Sequence, residues 1–302
     1  MNGVLIIDKP AGITSHDVVS RVRRILKTKR IGHTGTLDPF ATGVMVILVG
    51  QATRLAQFLD KDEKEYEALV RFGFETETGD LTGVRSAECG MRSEEIVELI
   101  GRTDWNSVFS SFRGEIEQVP PMYSAKKIDG KKLYEHARKG VEVERKAVKV
   151  TIHQLEIVDD PQIRTPHSAL RVRIVCSAGT YIRTLAEDIG RRLGSAAHLA
   201  ELRRTRAGKF EIGQSVTLDV LDGLPDPTSA LIEMEQAVSH LRNIVLNDDR
   251  IDKTKNGLPT RITDTTFKDS EAIQMIDSSD KLVAIGFYNE AENIVQPNVV
   301  LV

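Results

Sequence analysis

The chain has 302 residues, 40% of them hydrophobic, and a net charge of −3. That length and apolar content suit one large domain, or a large one with a small companion. No apolar run approaches the roughly 18 residues of a membrane span, which excludes an α-helical membrane protein.

Val4–Ile7 is a candidate strand, too short and too poor in flanking basic residues to be a secretory leader. Lys9-Pro10-Ala11-Gly12-Ile13-Thr14-Ser15 is turn-rich, and Thr14 or Ser15 can cap a helix in which Val18, Val22, Ile25 and Leu26 recur at helical spacing. Val44–Val49 is predicted as a buried strand, and Lys64–Phe72 as an alternating one. Glu94–Ile100 is predicted as a helix. The tandem prolines in Val119-Pro120-Pro121-Met122-Tyr123-Ser124-Ala125 forbid regular structure and lead into a basic stretch. Ala147–Ile157 and Ala169–Cys176 are predicted as strands, Tyr181–Leu193 as a helix and Ala197–Arg204 as a short helix. A further helix is expected from Ser229 to Leu241. Beyond it the chain turns acidic and short-stranded, with turn signals at Asn256-Gly257 and Pro297-Asn298. The pattern implies an α+β fold with a small C-terminal β-barrel. Two distant cysteines, Cys89 and Cys176, and seven scattered histidines match no metal spacing and suit a reducing compartment.

The overall charge conceals an uneven distribution. Residues 210–302 hold 7 basic and 16 acidic residues, whereas residues 1–209 hold 34 and 28. Basic residues outnumber acidic ones 9 to 4 from Met122 to Lys149, 7 to 3 from Arg183 to Lys209, and 6 to 1 from His16 to Arg30. Clustered cations of this kind are the footprint of a polyanion site.

The most informative stretch is Gly32-His33-Thr34-Gly35-Thr36-Leu37-Asp38-Pro39, followed by Ala41-Thr42-Gly43. Three glycines and a proline hold this loop to one backbone path. Pro39 biases Asp38 toward an extended conformation, so the loop presents a single carboxylate. This string, together with Cys176-Ser177-Ala178-Gly179-Thr180-Tyr181-Ile182-Arg183-Thr184 and Lys64-Glu65-Tyr66-Glu67-Ala68, resembles the bacterial TruB-type tRNA pseudouridine synthases over nearly all of residues 1–241.

The resemblance implies that Asp38 is the catalytic aspartate, Arg183 its ion-pairing partner and Tyr66 the residue that stacks on the target base. It implies that His33 enters the T loop in place of extruded bases, that Leu202 lines the pocket, and that Asp80 and Tyr181 belong to the base-binding site. Lys9-Pro10 resembles a first motif that supports the catalytic loop. Lys126, Lys127, Lys131, Lys132, Arg138 and Lys139 fall in a segment resembling a mobile insertion that grips the T arm. Isomerising uridine requires flipping the base out of the RNA, at roughly a few kcal/mol, and a flat face to receive it. It needs no redox step, hydrolytic water, metal or organic cofactor, and none is expected.

The chain is therefore expected to be a cytoplasmic, monomeric enzyme without an obligatory protein partner, acting on the T-loop uridine at position 55 of tRNA. The expected domains are a catalytic one over 1–241, with an RNA-gripping insertion at about 119–145, and a PUA-like one over 242–302. The motifs all lie before the second, and its summed acidity makes it a poor general anchor for RNA, so truncation after Arg242 is expected to leave a folded synthase active on the isolated stem-loop. Two other readings are an RNA-binding or tRNA-folding module without essential catalysis, and a dyskerin-type synthase directed by a guide RNA. A carboxylate at the centre of a phosphate-binding surface argues against the first, because it repels the ligand. The bacterial-type insertion argues against the second.

Overall fold

The computed structural model describes residues 1–124, 126–128, 130–137, 139–158, 168–263 and 266–301. Its centre is a large mixed sheet in the order Gly3–Lys9, Thr42–Val49, Ala197–Ala207, Lys64–Phe72, Ala169–Cys176, Val148–Ile157, Gly114–Gln118. Along this path only Thr42–Val49 and Ala197–Ala207 run parallel, and the other neighbours are antiparallel. Ile31–Thr34 adds an edge to Thr42–Val49. The strand Thr42–Val49 is buried along almost its whole length, as its unbroken apolar run predicts.

Helix Ser15–Ile25 covers one face of this sheet. Thr14 caps it: the Asp17 N–H donates to Thr14 Oγ1 at 3.1 Å, and the Thr14 N–H donates back to Asp17 Oδ2 at 2.8 Å. Its apolar stripe, Val18, Val19 and Val22, packs on Leu5, Ile7, Met45 and Ile47. Helix Ile182–Arg192 packs against the strand Ala197–Ala207 and buries Leu185, Ala186 and Ile189 in the core formed by Ala68, Val70, Val172 and Ile174.

Two sequence-based expectations fail. Ala197–Ala207 is a strand rather than a helix. Irregularities between Leu199 and Glu201, and between Arg204 and Arg206, shift the side-chain phase twice. They erase the strict alternation that marks a strand, and pairing on both sides overrides local propensity. The helix expected from Ser229 to Leu241 is broken into a short turn at Pro227–Ala230 and a helix at Met234–Ala237. Between them Ile232 exchanges both backbone hydrogen bonds with Val4, at 2.8 and 2.7 Å, and so cannot continue a helix.

The tail forms a second sheet of five strands, ordered Arg242–Val245, Ala272–Ile276, Leu282–Asn289, Ile294–Val300, Thr260–Arg261. It carries its own apolar cluster of Leu246, Phe267, Met275 and Tyr288. It also shares a cluster with the main body, in which Leu282, Ile285, Val299 and Leu301 meet Leu55, Leu59 and Phe210.

Candidate active site

The loop bearing Asp38 is held from beneath. Lys9 is fully buried, and its Nζ donates to the carbonyl oxygens of Pro10, Pro39 and Ala41 at 2.9, 3.1 and 2.6 Å. Ser15 Oγ bonds both the Leu37 carbonyl and the Leu37 N–H at 2.9 Å. The turn-rich segment after the first strand thus fixes the backbone on both sides of Asp38. Gly43 lies so close to the neighbouring strand that a Cβ there would sit 2.2 Å from the Arg204 carbonyl oxygen, with φ at +100°. Only glycine fits that approach.

The structure brings Asp38 and Arg183 together. Arg183 Nε lies 3.0 Å from Asp38 Oδ2, and one terminal nitrogen lies 3.4 Å from Oδ1. The guanidinium is fixed further by the carbonyls of Thr78 at 2.7 Å and Tyr123 at 2.6 Å. Asp80 lies 3.7 Å from it, and its other carboxylate oxygen accepts from the Thr78 hydroxyl and from the Thr82 N–H and hydroxyl. The Asp38 carboxylate is a third exposed, whereas the Arg183 side chain is almost entirely buried. Burial pushes the Asp38 carboxyl above the usual range. Arg183 and Lys9 pull it down, and Asp80 pushes it further up.

Asp38 and Arg183 open onto a cavity of about 280 Å³ that is also lined by Tyr66, Tyr181, Leu202 and Ser124. Tyr66 and Leu202 lie on adjacent strands, and the Tyr181 backbone is tied to the Gln118 side chain through two hydrogen bonds. His33 is not among the lining residues. It sits on the edge strand Ile31–Thr34, with Nε2 3.3 Å from the hydroxyl of Thr36, which does line the cavity.

Four lining residues go unnoticed in the sequence: Asp60, Lys64, Ser124 and Arg204. Lys64 is 5% exposed and Arg204 1% exposed, and both border the cavity. Lys64 lies two residues before Tyr66, on the same side of its strand, and Arg204 pairs with Tyr66 across strands. Ser124 is 5% exposed, and its buried hydroxyl has no hydrogen-bond partner among the described residues. The tyrosine's register would have pointed to Lys64; nothing in the sequence singles out Ser124.

The basic segment contributes a hairpin of Lys127–Ile128 and Lys131–Lys132, followed by the helix Leu133–Ala137. Lys131 is exposed and Lys126 half-buried. The side chains of Lys127 and Lys132, and Arg138 altogether, lie outside the described residues. Among the described residues, no group of histidine, cysteine and acidic side chains is placed to hold a metal.

A carboxylate paired with a buried guanidinium, beside an aromatic ring and an apolar wall, can take up a flat ring and act on the atom linking it to the rest of its substrate. Residues 23–182 match the N-terminal domain of the TruB family pseudouridylate synthases, and residues 183–248 match the tRNA pseudouridylate synthase B C-terminal domain. The chain is 46% identical over 268 residues to tRNA pseudouridine synthase B of Geobacillus thermodenitrificans, covering 87% of this chain and 86% of the relative. It is 38% identical over 299 residues to the protein of that name from Bacillus subtilis, covering 97% and 94%. Among solved structures it is similar to a Cbf5-Nop10-Gar1 complex, with a TM-score of 0.71 and 28% identity over 99% of this chain and 85% of that one. It is also similar to an H/ACA RNP bound to a substrate RNA containing 2′-deoxyuridine, with a TM-score of 0.70 and 26% identity over 99% and 85%.

Proposed function

We propose that this chain, which belongs to the TruB family of pseudouridylate synthases, isomerises the T-loop uridine at position 55 of tRNA to pseudouridine through Asp38. It is an isomerase acting on tRNA. The observation that carries the residue assignment is the Asp38–Arg183 pair at the mouth of a cavity lined by Tyr66. Tyr66 receives the flipped uracil, with Tyr181 and Leu202 closing the apolar wall. Asp38 acts on the nucleotide while Arg183 holds it ionised and aimed. Asp80 fixes Arg183 from its far side. His33, outside the cavity, fills the space that the flipped nucleotide leaves in the RNA. Lys126, Lys127, Lys131 and Lys132 hold phosphates of the T arm, which set register without reading sequence.

The higher identity to bacterial tRNA pseudouridine synthases B, 38–46%, than to the 26–28% seen with the RNP structures favours action without a guide RNA. We assign a catalytic unit to 1–241, with an RNA-gripping insertion at about 119–145, and a PUA-like unit to 242–302. The protein acts as a monomer without protein partners in the cytoplasm. No helix among the described residues is long and apolar enough to cross a membrane. The test is to incubate the purified chain with a T-arm stem-loop and map pseudouridine by nucleotide. Conversion confined to the uridine matching position 55 is expected. Conversion that appears only with an added guide RNA would overturn the reading.

A further inference from the structure

Three cations, Arg183, Lys64 and Arg204, and two acids, Asp38 and Asp60, line the cavity. Arg183 is matched by Asp38 and Asp80. Lys64 and Arg204 have no carboxylate oxygen within ion-pair distance among the described residues. Asp60 and Asp62 act on Lys64 from further off, and it is their backbone carbonyls that accept from Nζ, at 3.0 and 2.7 Å. Arg204 donates to the carbonyls of Val44 and Gly35 at 2.7 and 2.8 Å, and its guanidinium faces the Tyr66 hydroxyl. The two cations are close together: a Cβ on Gly35 would meet Arg204 at 3.1 Å and Lys64 at 3.6 Å.

Two buried cations side by side are costly unless a negative charge joins them. Phosphates run along the outside of RNA, whereas these cations line the same cavity as Tyr66, where the base must go. We infer that Lys64 and Arg204 stabilise the negative charge that develops on the uracil ring during the reaction, an inference that rests on the synthase reading above.

The electron balance supports this whichever way Asp38 acts. If its carboxylate attacks C1′, the C1′–N1 bonding pair leaves on uracil. If it removes the C2′ proton, the C2′–H pair becomes the C1′–C2′ double bond and the C1′–N1 pair again leaves on uracil. If it adds to C6, the C5–C6 pair moves through the ring toward O4. In each case the ring is anionic until C5 bonds C1′; Asp38 is then released, by leaving C1′ or C6 or by returning the C2′ proton, and the C5 proton ends on N1. Lys64 keeps one N–H for a ring oxygen after its two carbonyl bonds.

The experiment compares uridine with 5-fluorouridine at the target position of a stem-loop, under single turnover, reading loss of the N1-linked nucleoside. Fluorine withdraws electrons, so the 5-fluorouracil anion needs less help. Lys64→Met is expected to slow the uridine reaction by about 100-fold, the usual effect of losing one preorganised donor to a developing anion. It should slow the 5-fluorouridine reaction far less and leave stem-loop affinity unchanged. Lys64→Arg should retain most of the rate. Should Lys64→Met lose its cooperative melt, Lys64→Gln, which keeps a donor for the Asp60 and Asp62 carbonyls, serves for the same comparison. An equal slowing on both substrates overturns the inference. So does weaker binding with a salt slope reduced by about 0.7–0.9, which would assign Lys64 to a phosphate. A wild-type chain that converts neither substrate would instead refute the synthase reading.

Discussion

Arg183 Nε reaches Asp38 Oδ2 at 3.0 Å, joining two residues 145 positions apart. The arginine has little freedom to do anything else, since the Thr78 and Tyr123 carbonyls hold its terminal nitrogens. It therefore presents a fixed positive edge to a carboxylate that stands on an equally fixed loop. Preorganisation of this kind avoids reorganisation at the moment of reaction.

Asp38→Asn keeps the side chain's volume and removes its charge. We expect isomerisation of a T-arm stem-loop to fall by at least about 1,000-fold, the upper range for losing a preorganised electrostatic group. Affinity should stay near wild type, because phosphate contacts dominate RNA binding. Turnover within about tenfold of wild type would remove Asp38 from the mechanism.

The pH dependence follows from the same pair. Asp38 must be ionised to act, so activity is lost as pH falls through its folded-state pKa. Burial raises that pKa above the ordinary carboxylate value, and Arg183 opposes the rise. The acid limb of the single-turnover rate is therefore expected above the ordinary value of 3.8. Arg183→Met should move it further up while lowering the plateau. Glu187, pushed up to about 7 by burial, could produce a limb of its own. Glu187→Gln is the control, and it should leave the limb in place. A limb unmoved by Arg183→Met would show that Arg183 is not the counter-ion of Asp38.

The Asp38 loop is legible in the sequence because its constraints are local: glycines, a proline and one acid within a few residues. The helix start at Gly179-Thr180-Tyr181 is local too, so Arg183 is placed on the right element. What the sequence does not show is reach. Nothing in the order of residues says that Lys9 supports Pro39 and Ala41, or that Tyr123 holds Arg183. Arg204 is missed for a physical reason. The shifted phase of Ala197–Ala207 imitates a helix, and a cation in a basic run resembles a solvated one until it proves 1% exposed.

Charge at the insertion has a separate signature. Replacing Lys126, Lys127, Lys131 and Lys132 with glutamine is expected to weaken stem-loop binding. Every phosphate left without its lysine should flatten the log–log salt dependence by about 0.7–0.9. The single-turnover rate at saturating RNA should change little, because Lys126 and Lys131 are not among the described residues that line the cavity. An unchanged slope in a salt titration would make them a solvated face.

The tail is less separable than its sequence suggests. Its apolar residues look like the makings of a private core, and Leu246, Phe267, Met275 and Tyr288 do form one. Leu282, Ile285, Val299 and Leu301 instead pack with Leu55, Leu59 and Phe210 of the main body. The Gln274 side chain, 5% exposed, donates to the Val238 and Leu241 carbonyls at 3.0 Å, across the expected boundary. Truncation after Arg242 strips this face bare, and the shortened chain is expected to aggregate or to lose its cooperative melt. A point variant tests the coupling more gently. Leu282 is fully buried, and Leu282→Ala should cost about 2–5 kcal/mol, as for other buried leucines. If the two parts share one core, the loss should appear as a single shifted transition, with isomerase activity failing at the same temperature. Two transitions, with only one of them shifted and activity following the other, would show that the tail folds independently and that the shared cluster is dispensable.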